Sequence, residues 1–179
     1  MPDFPNPPAA CRREATVAAQ SKEVIASLWL QRVLSSYPGQ SADFLAKESD
    51  PFRNPVGSTI RRTIGILLDQ VLLGVDRNCY AEPLDPLMQI WAVQGLAPSQ
   101  VIGTLFQLKD ILRPHVDRTD RELLDSRIDE LALVAFDSYV KHRERTFQAK
   151  ANEVRRRVSV VERRLAQSEA PDLQMRGGA

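Results

Sequence analysis

Residues 119–167, TDRELLDSRIDELALVAFDSYVKHRERTFQAKANEVRRRVSVVERRLAQ, run for nearly fifty positions without a proline or a glycine. Proline removes a backbone donor and glycine adds an entropic cost, so their joint absence over such a length favours one long α-helix. The stretch opens on Thr119-Asp120-Arg121-Glu122, which has the S/T-x-x-E form of a capping box. It divides by chemistry. Residues 123–139 have the apolar density of a helix that packs in a core. The longest apolar run, residues 131–136, is far short of the ~18 residues that a membrane span requires.

From Lys141 onward the helix is basic. Residues 141–164 hold nine lysines and arginines against Glu144, Glu153 and Glu162, a net charge of +6 in a chain whose total is +1. That asymmetry suits contact with an acidic partner, nucleic acid included. The arginines are spread around the helix and Phe147 is the one aromatic among them, so a solvated or partner-facing helix is the leading reading and nucleic-acid contact the alternative. The same segment carries a seam: Phe147, Ala151, Val154, Val158, Val161 and Leu165 are spaced 4, 3, 4, 3, 4. This is heptad spacing. With Ala151, Val158 and Leu165 at a, residues Lys150, Arg157 and Arg164 fall at g, and Arg155, Glu162 and Glu169 at e. In a parallel pair Arg157 meets Glu162 of the second copy and Arg164 meets its Glu169, whereas Lys150 meets Arg155. A seam of this kind serves two arrangements, self-association or packing on the chain's own domain, and the spacing fits both.

Upstream, residues 1–10 hold four of the twelve prolines, which predicts a disordered leader over 1–12. A helix is expected over 14–36, where Val24, Ile25, Leu28, Leu30, Val33 and Leu34 recur at three- and four-residue spacings, with Trp29 beside them. Tyr37-Pro38-Gly39 stops it. A short helix over 41–47 has Ser41 as a candidate cap. Asp50-Pro51-Phe52-Arg53-Asn54-Pro55 reads as a turn feeding a helix, with Asn54 as N-cap and Pro55 first. That helix runs to about Leu73, and Gly74 suits its C-cap. A turn or short helix over 76–82 leads to a helix over 84–96 that Gly95 ends. Pro98 opens the next, which Pro114 closes. No strand alternation, hairpin signal or solenoid period is visible. The reading is all-α: a compact bundle of about six to seven helices over 13–140, globin-like packing being one form of it, a basic helical extension over 141–167, and a disordered tail over 168–179.

No catalytic or metal-binding set stands out. The chain has two histidines, His115 and His142, without ligand spacing to other strong donors, so both read as solvated and no metal, haem or other cofactor is expected. Asp125 and Asp129 share a helix face with Arg121, Arg127 and Lys141 nearby, which reads as a solvated ion-paired face. Cys11 and Cys79 lack CxxC spacing and read as free thiols of a reducing cytoplasm. No P-loop, GxSxG or GxGxxG is present, and the expectation is a non-enzyme. Two loop-to-helix motifs remain, Asp50 to Gly57 and Trp91-Ala92-Val93-Gln94 with Pro98-Ser99-Gln100. They read first as caps and turns. Asp50, Phe52, Asn54, Trp91, Gln94, Ser99 and Gln100 are also the candidate lining of a polar pocket or partner surface.

Those two motifs carry a resemblance. With Trp29, Tyr37-Pro38, Asp50-Pro51-Phe52, Asn54-Pro55-Val56-Gly57, Ala92-Val93-Gln94, Pro98-Ser99-Gln100, Leu108-Lys109, Arg113, Arg127-Ile128-Asp129 and Ala135-Phe136-Asp137, residues 25–154 resemble the N-terminal domain of RsbRD-type RsbT co-antagonist proteins, a domain of bacterial stress signalling. The family commonly places an arginine before the Ala-Val-Gln triplet, where Trp91 stands here. The resemblance implies a helical sensory or protein-interaction domain without catalysis or haem. In stressosome proteins the domain precedes a phosphorylated STAS domain, which the chain ends too early to contain. The resulting expectation is a cytoplasmic regulatory module with protein partners, without membrane insertion, dimeric through the seam of its last helix.

Overall fold

The computed structural model describes residues 19–37, 39–48 and 50–168. Among them are six α-helices and no strand: α1 (Ala19–Ser35), α2 (Gly39–Lys47), α3 (Pro55–Leu73), α4 (Ala81–Gln94), α5 (Pro98–Leu112) and α6 (Arg118–Ser168), with 3-10 turns at Arg77–Tyr80 and Arg113–His115. The all-α architecture with a long last helix is as the sequence predicts. The expected leader lies outside the described residues, as do the expected tail beyond Ser168, which is the last residue of α6, Cys11 and the first turn predicted for α1. The chain forms two compact units, Met1–His142 and Arg143–Ala179.

Helix boundaries follow local chemistry. Asn54 caps α3, its Oδ1 accepting from Gly57 N at 2.8 Å, and Pro55 occupies the first turn, where a missing N–H costs nothing. Gly74 (φ 70°) and Gly95 (φ 79°) close α3 and α4 in the left-handed region that glycine enters freely. Three expectations shift. Ser41 lies inside α2, which begins at Gly39 rather than at Ser41. The α4 helix begins at Ala81 rather than Leu84, because Pro83 falls in the first turn, where no intrahelical N–H bond is due. Pro86 is inside that helix and forgoes one backbone bond. The α6 helix begins at Arg118, which places Thr119 within its first turn; Asp120 N bonds Asp117 O at 3.0 Å instead of a threonine-capped box forming.

The core of the first unit is built on the apolar stripes of α1, α3, α4, α5 and the first half of α6. Ile25, Trp29, Ile60, Leu67, Leu84, Trp91, Val101, Leu108, Ile128 and Ala135 are fully buried. The two indoles anchor the packing, each a large apolar body with one polar atom to satisfy. Trp29 Nε1 donates to Thr104 O at 3.0 Å, joining α1 to α5. Trp91 Nε1 donates to the Tyr37 hydroxyl at 2.8 Å, joining α4 to the turn after α1. Tyr139 of α6 donates its hydroxyl to Leu96 O beyond the end of α4.

In the second unit, every residue of the helix from Glu144 to Ala166 except Thr146 is exposed. Arg143 lies over the Phe147 ring at 4.8 Å, and Arg157 Nε reaches Glu153 Oε1 at 2.9 Å, the favoured i,i+4 order with the acid first.

Candidate functional site

The polar chemistry of the first unit is concentrated where helices end. The carbonyls closing α2 are collected by two side chains. Asn54 Nδ2 donates to Leu45 O at 3.1 Å and Glu48 O at 2.8 Å. Arg61 Nη2 donates to Leu45 O at 2.6 Å, Ala46 O at 3.1 Å and Glu48 O at 3.0 Å. The last helical carbonyls lack intrahelical donors, and a cation there also answers the negative end of the helix dipole. Asn54 therefore closes one helix and opens the next.

The same device recurs at the end of α3. Arg127 of α6, 3% exposed, donates through Nη1 to Val71 O and Leu72 O, both at 2.9 Å. Its guanidinium also occupies the space a side chain at position 74 would need: a Cβ on Gly74 would lie 2.1 Å from Nη2. Arg127 is thus a buried cap and not a solvated side chain. Asp129, a member of the same expected face, pairs with Lys109 of α5 at 2.6 Å.

His142 is the second departure. It is 6% exposed, and its Nε2 lies 2.8 Å from Asp85 Oδ1, so the solvated histidine expected from its charged neighbours is a tertiary contact between α6 and α4. That hydrogen bond, above all, holds the Asp85 carboxyl below its ordinary range, with partial burial opposing and Ser138 and Lys141 helping. Ser138 Oγ donates to the same Asp85 oxygen at 3.4 Å. Serine, aspartate and histidine do meet here, but the carboxylate is bonded to both of the others. A nucleophile–base relay needs the imidazole between hydroxyl and carboxylate. The arrangement clamps two helices.

The residues singled out from the two motifs separate by burial. Asn54 and Trp91 are interior, with their polar atoms engaged by the partners described above. Asp50 Oδ1 accepts from Phe52 N at 2.9 Å and holds the turn. Phe52 is 96% exposed, an aromatic ring with no core role. Gln94, Ser99 and Gln100 are exposed around the α4–α5 link, where Gln100 Oε1 accepts from Ala97 N at 2.9 Å. Alanine at the cap position has no side-chain acceptor, so this return bond is the half of a capping box that the sequence permits.

Hollows open elsewhere on the first unit. One of ≈ 580 Å³ is lined by Arg62, Ile66, Gln70, Cys79, Glu82 and Pro86 among others, and one of ≈ 320 Å³ by Arg77, Asp85, Asp137, Ser138 and Lys141 among others. Neither is lined by the seven motif residues. Cys79 is a free, exposed thiol. Among the described residues no group of three or more His, Cys, Asp or Glu is placed to hold a metal ion, and no helix is long and apolar enough to cross a membrane.

The seam residues of α6 all face solvent in the single chain: Phe147, Val154, Val158, Val161 and Leu165 are 50–60% exposed, and Ala151 is exposed with them. An isolated apolar residue at a surface is ordinary; here six in heptad register share one exposed helix face.

The first unit is an all-helical domain whose interior polar groups close helix ends, and the helix of the second unit carries an exposed apolar stripe. Residues 23–154 match the model of the RsbT co-antagonist protein rsbRD N-terminal domain, and the chain belongs to that family. The match takes in the first three seam residues, Phe147, Ala151 and Val154, and leaves Val158, Val161 and Leu165 beyond it. No curated protein and no solved structure matches the chain significantly.

Proposed function

We propose that this protein is a non-catalytic regulatory or sensory module of a bacterial stress-type signalling pathway, acting through protein contacts in the cytoplasm and dimeric through the second half of α6. The observation that carries this reading is the family match over residues 23–154, since the family is named for co-antagonism of a protein, RsbT. The exposed heptad stripe supports the dimer. Phe52, Gln94, Ser99 and Gln100 are exposed and serve as a candidate partner surface, with Asp50 and Asn54 shaping the turn that presents Phe52 and Trp91 fixing α4 from within. Measuring the mass in solution of the full chain and of a chain lacking residues 145–179 tests the dimer: the full chain is expected to be dimeric and the shortened one monomeric, and a monomer in both cases removes the dimer from the reading.

The net charge of +6 over residues 141–164 favours one other function, contact with nucleic acid. Binding of this kind weakens steeply as salt rises, because it releases counterions. Absence of binding to duplex DNA and RNA at low salt would remove it.

A further inference from the structure

We infer that the second copy docks on α6 in parallel and in register, and that like charge around Ala151 makes this assembly tighten as ionic strength rises. The inference rests on the dimeric reading above and specifies its orientation and regulation. Extending the seam's register places Arg143, Lys150, Arg157 and Arg164 along one edge of the stripe, all at g. The opposite edge, at e, carries Gln148, Arg155 and Glu162.

An antiparallel pair sets g against g, and every such pair would be basic on basic. A parallel pair sets each g against the e residue five positions on in the second copy. Arg157 then meets Glu162 and Arg164 meets Glu169, attractive pairs each formed twice by symmetry. Glu153 already holds Arg157 on that edge of the stripe at 2.9 Å. Charge complementarity therefore selects the parallel arrangement.

The same register is strained one heptad earlier. Lys150 meets Arg155, also twice, so four like charges surround the layer of Ala151, the smallest side chain of the seam. All of these groups are exposed, so their repulsion is open to screening. Each helix also brings a net +6 over residues 141–164 to its twin. Valine rather than leucine at the d positions 154 and 161 is not the pattern two-stranded seams prefer, which leaves the electrostatic balance decisive. Salt thus strengthens self-association, the opposite sign to a nucleic-acid complex of the same helix.

Sedimentation equilibrium of the full chain tests this in about 50 and about 500 mM NaCl, concentrations at which screening lengths differ severalfold. Dissociation is expected to weaken severalfold at the higher salt. Arg155→Glu, which makes the strained pair attractive, is expected to tighten the dimer about tenfold at low salt and to remove the gain from salt. With Cys11 and Cys79 replaced by serine, Leu165→Cys is expected to give an oxidised covalent dimer, since only a parallel in-register pair brings both copies of position 165 within disulfide reach. A dimer that loosens with salt, that Arg155→Glu leaves unchanged, or that Leu165→Cys does not link overturns the inference while leaving the dimer standing. Monomers throughout, Arg155→Glu included, remove the dimeric reading and the inference together.

Discussion

Arg127, in the first half of α6, donates from one guanidinium nitrogen to the carbonyls of both Val71 and Leu72 at 2.9 Å, so the long helix supplies the cap for α3. Truncating it strands two carbonyls at a buried helix end. Arg127→Ala is expected to lower the unfolding free energy by about 3 kcal/mol, as for loss of buried charge-assisted hydrogen bonds. Urea denaturation measures this, and a loss below about 1 kcal/mol would mean the carbonyls find water instead.

Gly74 is coupled to the same cap. A side chain there meets both a left-handed φ of 70° and the Arg127 guanidinium. Gly74→Ala is expected to cost about 1–2 kcal/mol. Its effect and that of Arg127→Ala should be less than additive, because the two residues share one space. Independent, additive losses in the double variant would show that the backbone strain alone sets the cost.

Asn54 makes three hydrogen bonds with opposite roles, one as acceptor for α3 and two as donor for the end of α2. Asn54→Ala should destabilise by about 2 kcal/mol, the upper end for a cap. Asn54→Asp keeps the acceptor and loses both donations, so its loss should persist in large part. If aspartate restores full stability in thermal unfolding, the links to Leu45 and Glu48 contribute little.

The Tyr37 phenol is pushed up to about 12 by burial, with the Trp91 N–H pulling it partly back. A phenol raised in the folded state above its unfolded value of about 10 stabilises fully below pH 10. That contribution is lost as pH rises through the folded value of about 12. Spectrophotometric titration should show Tyr37 ionising late, together with unfolding. Tyr37→Phe should remove that late phase and leave the buried Trp91 N–H without its acceptor.

Asp85 carries the reverse dependence. Its lowered folded pKa, caused first by the His142 hydrogen bond, stabilises above the unfolded carboxylate value of about 4 and is lost as pH falls through the folded one. The side chain is half exposed, so the effect should be modest. Comparing melting temperatures of the parent and Asp85→Asn from pH 3 to pH 7, the gap should be largest at neutral pH and close in acid. A gap independent of pH would assign the effect to packing.

Much of the fold was written locally. The absence of glycine and proline over residues 119–167 predicted α6, and Asn54-Pro55 and Gly74 predicted both ends of α3, because helix propagation, capping and left-handed turns depend on neighbours within four residues. Family motifs were legible for the same reason. The boundaries that slipped were those where two local signals compete. Thr119 offered a capping box one residue inside a helix that begins at Arg118, and Pro83 suits a first turn as well as a turn before a helix.

What tertiary structure alone decided is which charged groups are buried. Nothing in the neighbours of Arg127 or His142 distinguishes them from the solvated residues around them; their roles come from Val71 and Leu72, more than fifty positions away, and from Asp85, 57 positions away. Desolvating a polar group is tolerated only where partners are already in place, and those partners are brought there by the packing of other helices. The spacing of the α6 seam was legible in sequence, but its solvent exposure was not, since apolar periodicity marks a face and not what surrounds it.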